Sequence, residues 1–225
     1  MTDQQLLWLL QLSDSNFPSG AFSHSFGFET YMYNEQICDA KTFGDVLVAY
    51  IQTQLTYTDG LACRIAYEQL EVDRMEGLRR LNDTLFALCL AKETREGTRM
   101  IGGRLWKLCR DIYGVDELDE IVQTTRSIHP AIVFAAVGRK IGAAKQTTVL
   151  TYLFASVQTM VQNAVRGIPL GQTDGQKLLV MVQPYLIHAA SIIETLDEEE
   201  LGAAAVGLEI AQMQHERLPV RLFMS

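Results

Sequence analysis

A chain of 225 residues, 48% of them apolar, is long enough to bury one full core. Nineteen Lys and Arg against 27 Asp and Glu leave a net charge of −8, which opposes binding to nucleic-acid phosphates and to anionic membrane surfaces. No basic residue precedes the short apolar run at Leu6 to Leu10, no run approaches the roughly 18 apolar residues of a membrane span, and the four cysteines are widely spaced, so a reduced, cytoplasmic protein is expected.

Nearly every segment reads at a helical period. Residues 3–13 form a first apolar helix, a polar turn spans 14–19, and a second helix is expected over 21–34. Thr42 to Asp45 resembles an N-terminal cap opening a helix whose buried stripe is Phe43, Val46, Leu47, Tyr50 and Ile51. Asp59 is placed to cap a further short helix, and another helix runs over about 75–90. The segment 92–113 is the clearest, with Gly97, Ile101, Leu105, Leu108 and Ile112 on one face. Glycine on a buried helix face costs about 1 kcal/mol of propensity, so Gly97, Gly102 and Gly103 predict close helix approach. A short helix over 116–125 follows, then one opened by Pro130 and ending near Ile141.

The next helix carries Leu150, Leu153, Phe154, Val157, Val161, Ala164 and Val165, and Arg166, Gly167 and Pro169 stop it. Thr173 to Gln176 has capping-box spacing and starts a helix in which Pro184 should produce a kink. The acids at 197–200 suit the positive end of a last helix reaching about Glu216. Pro219 ends it, and beyond lies a non-helical tail. Its apolar trio Leu222, Phe223 and Met224 must either fold back on its own domain or lie against another protein. The pattern predicts an all-α helical bundle of roughly nine or ten helices in one domain, with residues 1–217 as the bundle and 218–225 as an extended docking tail.

Signatures of chemistry are scarce. There is no GxxxxGK[ST] phosphate loop, no CxxC, no HExxH and no GxSxG turn, and His24, His129, His188 and His215 are far apart in the chain. His188 reads as a hydrogen-bonded core residue. His24 follows Phe17-Pro18-Ser19-Gly20, which favours a type I turn. With Ser23, Ser25 and Glu29 it makes a polar cluster, open to two readings: helix capping, or contact with a partner or a metal.

Five stretches together carry a resemblance: SDSNFPSGAFSHSFGFET (13–30), KETREGTRMIGGRLW (92–106), HPAIVFAAVGRKIG (129–142), VRGIPLGQTDGQKLL (165–179) and QHERLPVRLFMS (214–225). In order and spacing the chain resembles the UreF family of urease accessory proteins over nearly its whole length. Phe28 stands where that family more often has leucine, a size-tolerant exchange. The resemblance implies a non-enzymatic scaffold, usually a homodimer, that joins UreD (UreH) to the nickel-carrying GTPase UreG and acts on apo-urease. On that reading no cofactor is bound stably, nickel is handled by the assembled complex, GTP is bound by UreG, and the scaffold carries part of a passage for nickel.

Candidate dimer or UreG contacts are Phe17, Pro18, Gly20, Ser23, His24 and Glu29 in the turn, with Arg166, Pro169, Gly171 and Gln172 in the later loop. Candidate UreD contacts in the tail are Leu222, Phe223 and Ser225, with Arg217 and Arg221 to pair with carboxylates and His215 and Glu216 beside them. The alternative is a helical enzyme with an unrecognised active site, which would show a polar interior pocket of convergent ionisable groups.

Overall fold

The computed structural model describes residues 1–168 and 170–225, in which there are eleven α-helical segments and no strand. The organising element is α8 (Pro130–Lys140), apolar around its whole circumference and stable only when enclosed. Residues 131–138 are all buried, between α4 (Leu61–Glu71), α6 (Lys92–Tyr113) and α9 (Lys145–Gly167). Two glycines set the spacing: a Cβ on Gly138 would lie 2.2 Å from Thr148 Cγ2 of α9, and one on Gly102 would lie 1.8 Å from the Ile128 carbonyl oxygen.

Around this centre, α1 (Asp3–Ser13) lies on α9, closed at its start by a Thr2–Gln5 capping box. α3 (Ala40–Tyr50) runs without a break through a π-helical segment, Ile51–Gly60, into α4, so the eleven segments form ten rods. α5 (Met75–Leu88) packs on α4, and α7 (Asp119–Thr125) on α5. α10 (Gln172–Ile193) lies along α9 and the π-helical segment. α2 (Phe28–Tyr33) and α11 (Val206–His215) pack on each other and close one end against α9 and α6. Among the described residues no helix is long and apolar enough to cross a membrane.

Several expectations are corrected. The helix expected over 21–34 is a 3₁₀ turn at Ala21–Ser23 and then α2, because Phe26 and Gly27 both take positive φ, 52° and 92°. Asp39, not the segment from Thr42, caps α3, and Asp59 caps nothing because it sits inside the continuous rod. On α6 the buried stripe turns toward Cys109 and Tyr113, leaving Ile112 half exposed. Gly103 meets nothing within 4 Å, so Gly102 is the packing glycine. Gly171 caps α10 without a side-chain bond, so the Thr173 box does not form. The acids at 197–200 make a separate 3₁₀ turn, and α11 starts only at Val206. His188 lies on the exposed face of α10 rather than in the core.

Candidate functional site

The tail does not hang free. It returns across α2, α6 and α9 and is tied to the turn that follows Pro18. That turn is tighter than a type I turn: Ser19 N–H donates to the Phe17 carbonyl at 2.7 Å, closing three residues around Pro18, and Gly20 at φ 87° redirects the chain. Residues 23–26, running on from the Ala21–Ser23 turn, then meet the tail. Met224 N–H donates to Ser23 O at 2.8 Å, Ser25 Oγ donates to Ser225 O at 2.8 Å, and His24 Nδ1 lies 2.8 Å from Ser225 Oγ. Asn163 of α9 fixes the turn from below, donating to the carbonyls of Ala21 and His24 at 3.3 and 2.7 Å. A Cβ on Gly97 would lie 2.8 Å from the His24 ring, so this glycine makes room for the turn and tail rather than for a helix.

Glu29 is the hub. Its carboxylate accepts from the backbone N–H groups of Leu222 and Phe223 and lies 2.8 Å from His215 Nε2. The other ring nitrogen, His215 Nδ1, lies 2.7 Å from Glu93, and Arg221 Nη1 donates to the second Glu93 oxygen at 2.6 Å. Burial alone would raise the Glu93 carboxyl, yet the bonds from His215 and Arg221 hold it below its ordinary value. The Arg166 guanidinium lies over the rings of Phe22 and Phe223, 5.7 and 5.5 Å from their centroids, and donates to the Phe22 carbonyl.

The apolar trio therefore splits. Phe223 is 8% exposed, whereas Leu222 and Met224 point outward at 70% and 56%. Val220 and, on α11, Val206, Ile210 and Met213 are exposed as well. The backbone is tied down while alternate side chains face solvent, an arrangement suited to contact with another protein.

Of the residues singled out in the sequence, Gly20, Ser23, His24, Glu29, Arg166, His215, Arg221, Phe223 and Ser225 meet here. Phe17 is half-buried above an interior cavity, and Pro18, Glu216 and Arg217 are exposed. Gly171 and Gln172 are exposed at the start of α10, away from these bonds, and Pro169 lies outside the described residues. Sequence reasoning missed Glu93, Asn163 and Arg104 as parts of the site. A faint signal existed: Glu93, Gly97 and Arg104 share one face of a helix at steps of four and seven, and a Cβ on Gly20 would meet Arg104.

A cavity of about 210 Å³ lies behind the turn, lined by Tyr50, Asp59, Cys89, Thr94, His129 and Tyr152 among others. Burial pushes the Asp59 carboxyl up to about 7 and the His129 imidazole down to about 4. His129 Nδ1 accepts from Ala131 N–H, so the proton of the neutral ring sits on Nε2, 3.8 Å from Asp59 and too far for a hydrogen bond. A protonated Nε2 has no lone pair for a metal, and among the described residues no three His, Cys, Asp or Glu side chains gather as a metal site.

The UreF family model matches residues 37–183. The chain is 95% identical over 225 residues to a urease accessory protein UreF of Geobacillus kaustophilus (strain HTA426), covering all of both chains. This chain belongs to the UreF family. A urease accessory protein UreF of Bacillus sp. (strain TB-90) is 50% identical, over 98% of this chain and 99% of the relative. One from Lachnoclostridium phytofermentans is 49% identical over 99% of this chain and 100% of its own length. UreF proteins carry the name of accessory proteins, and the chain is accordingly a non-catalytic member of a maturation family. The family model spans α3 to α9 and the first half of α10 but not the turn at 17–29 or the tail, which the full-length relatives cover.

Proposed function

We propose that this chain is a scaffold for urease maturation: a homodimer that bridges UreD and the GTPase UreG and assists GTP-dependent insertion of nickel into apo-urease. The observation that carries the reading is the tied tail, which turns Leu222 and Met224 to solvent on a fixed backbone. A rigid apolar edge binds without the ordering cost of a loose segment, and UreD is its proposed occupant. The whole chain works as one domain, and the exposed turn around Pro18 and Phe22 with Arg166 is offered to UreG. Four free thiols support a cytoplasmic setting.

Dimerisation is supported by α10, whose outer face exposes Val180, Met181, Tyr185 and Ile187. Nickel is cargo here, and the interior cavity is the proposed stretch of its passage, with Asp59 as an oxygen donor and His129 as a bystander. Co-purification with UreD and UreG, with and without GTP, tests the reading. A ternary complex is expected. Loss of UreD capture in Leu222→Asp with the fold intact supports the tail as the contact, and unchanged capture in Leu222→Asp, Met224→Asp together refutes it.

A further inference from the structure

We infer that the interior cavity behind the turn is a binding site for a small neutral molecule bearing a primary carboxamide, whose carbonyl accepts from His129 Nε2–H while its amide N–H donates to the Asp59 carboxyl. The inference rests on the geometry of the cavity and goes beyond the scaffold reading, which gives this space only a passing cargo.

The fold holds both groups in place and leaves both unused. His129 caps the start of α8: its Nδ1 accepts from Ala131 N–H at 3.3 Å, and the Phe86 ring packs against it at 67°, with 5.9 Å between centroids. The donor on Nε2 is thereby fixed before any ligand arrives. It lies 3.8 Å from Asp59 Oδ1, and among the described residues no acceptor is close enough to take its proton, although the residue is only 7% exposed. Asp59 comes from the π-helical segment, and no side chain of the described residues hydrogen-bonds to its carboxyl. Tyr50 is a third such group. It is buried, it lines the same cavity, and its hydroxyl makes no hydrogen bond among the described residues. Burial, then the charge of Asp59, raises that hydroxyl well above its ordinary value, which places it facing the carboxyl.

A donor and an acceptor 3.8 Å apart suit a ligand that carries an acceptor and a donor on neighbouring atoms. A carboxamide does so, with its carbonyl oxygen and its NH2 on one carbon. Charge points the same way. Burial raises the Asp59 carboxyl to about 7 and lowers the His129 imidazole to about 4, so the cavity disfavours ions. An amide N–H finds an acceptor on the carboxyl in either protonation state. No Lys or Arg lines the cavity, so a carboxylate ligand would meet Asp59 without a counter-charge. An ammonium only donates and would leave His129 Nε2–H unpaired.

The remaining walls select an apolar body. Leu85, Ile101, Leu105, Phe134 and Met160 line the cavity and are buried. Its volume of about 210 Å³ is many times the roughly 10 to 15 Å³ that one water needs, so a whole small molecule fits. Asp14, Ala203 and Ala204 are exposed and also line it, so it reaches solvent between the turn at 14–19 and the loop before α11.

Benzamide, benzoate and benzylammonium share a ring and differ in the polar group, and each can be titrated into the full chain, without nickel, by calorimetry and by NMR of the histidine ring nitrogens. Benzamide is expected to bind with a Kd on the order of 1 mM or tighter, to move the His129 Nε2 signal, and to bind at least about tenfold more tightly than either ion. Asp59→Leu should weaken benzamide by about tenfold or more, whereas Asp59→Asn, whose side-chain oxygen still accepts, should hold it within about threefold of wild type. Equal affinity for the three compounds, or no binding, overturns the inference. So does tightest binding of benzylammonium, which would mark a cation site, and so does benzamide binding that leaves His129 unmoved or survives Asp59→Leu unchanged. Should Asp59→Leu fail to fold, the wild-type selectivity and the His129 signal decide. Failure of co-purification with UreD and UreG counts against the scaffold reading alone, because no partner takes part in these titrations.

Discussion

Asp59 and His129 show how two buried groups 3.8 Å apart pull stability in opposite directions. The Asp59 carboxyl, raised to about 7, keeps its proton in the folded chain over a range where the unfolded chain has lost it, so its contribution falls as pH rises from about 4 to about 7. His129, lowered to about 4, does the reverse: its contribution grows from about pH 4 to about 6.5. Wild-type stability should therefore be nearly flat over this window, and Asp59→Asn should gain on it progressively, by on the order of 2 to 4 kcal/mol by pH 8. Urea unfolding from pH 5 to 8 measures it, and a constant difference between the two proteins would contradict the assignment. Glycines at neighbouring positions diverge for a similar reason of place. Gly102→Ala should lose about 3 kcal/mol because its Cβ would strike the Ile128 carbonyl, whereas Gly103→Ala should gain up to about 1 kcal/mol from helix propensity. Thermal melts of the pair decide between them.

The element whose role changes most between sequence and structure is the tail. Its composition announces a segment needing cover, and the alternation of Leu222 out, Phe223 in and Met224 out lets its own bundle meet only part of that need. Deleting residues 218–225 removes Phe223, worth about 2 kcal/mol of burial, and strips Glu29 and Glu93 of tail donors. The truncated chain should fold but melt several degrees lower, and it should not capture UreD. Leu222→Asp and Met224→Asp should leave the melting temperature within the range of about 0.5 kcal/mol typical of surface changes. A truncated chain with the wild-type melting temperature would show that the tail contributes nothing to its own bundle. The π-helical segment is the second such element. Thr56 Oγ1 donates to the Ile51 carbonyl, and the widened turn keeps the rod continuous where Asp59 had suggested a new helix start.

For the molecule as a whole, light scattering should give a dimer at micromolar concentration, and Ile187→Asp on the exposed face of α10 should shift it toward monomer. The pure protein should hydrolyse neither GTP nor urea, any effect on GTP hydrolysis requiring UreG. The all-helical class, the extents of α1, α6 and α8 and the end of α9 were legible in the chain because helix periodicity, proline and glycine stops and first-turn preferences act over a few residues. Family resemblance was legible for the same reason, in short runs with fixed order. Local rules failed at Phe26, where positive φ in a non-glycine residue is set by tertiary contacts, and at His188, whose apolar neighbours suggest a core that lies on the other face. The site itself was decided by the tertiary structure. Glu29, Glu93, Asn163, His215 and Leu222 meet from five separate elements, and Glu29 stands 193 positions before its Leu222 donor. No window of sequence holds that pairing, because its energy comes from excluding water around charges that only the closed bundle brings together.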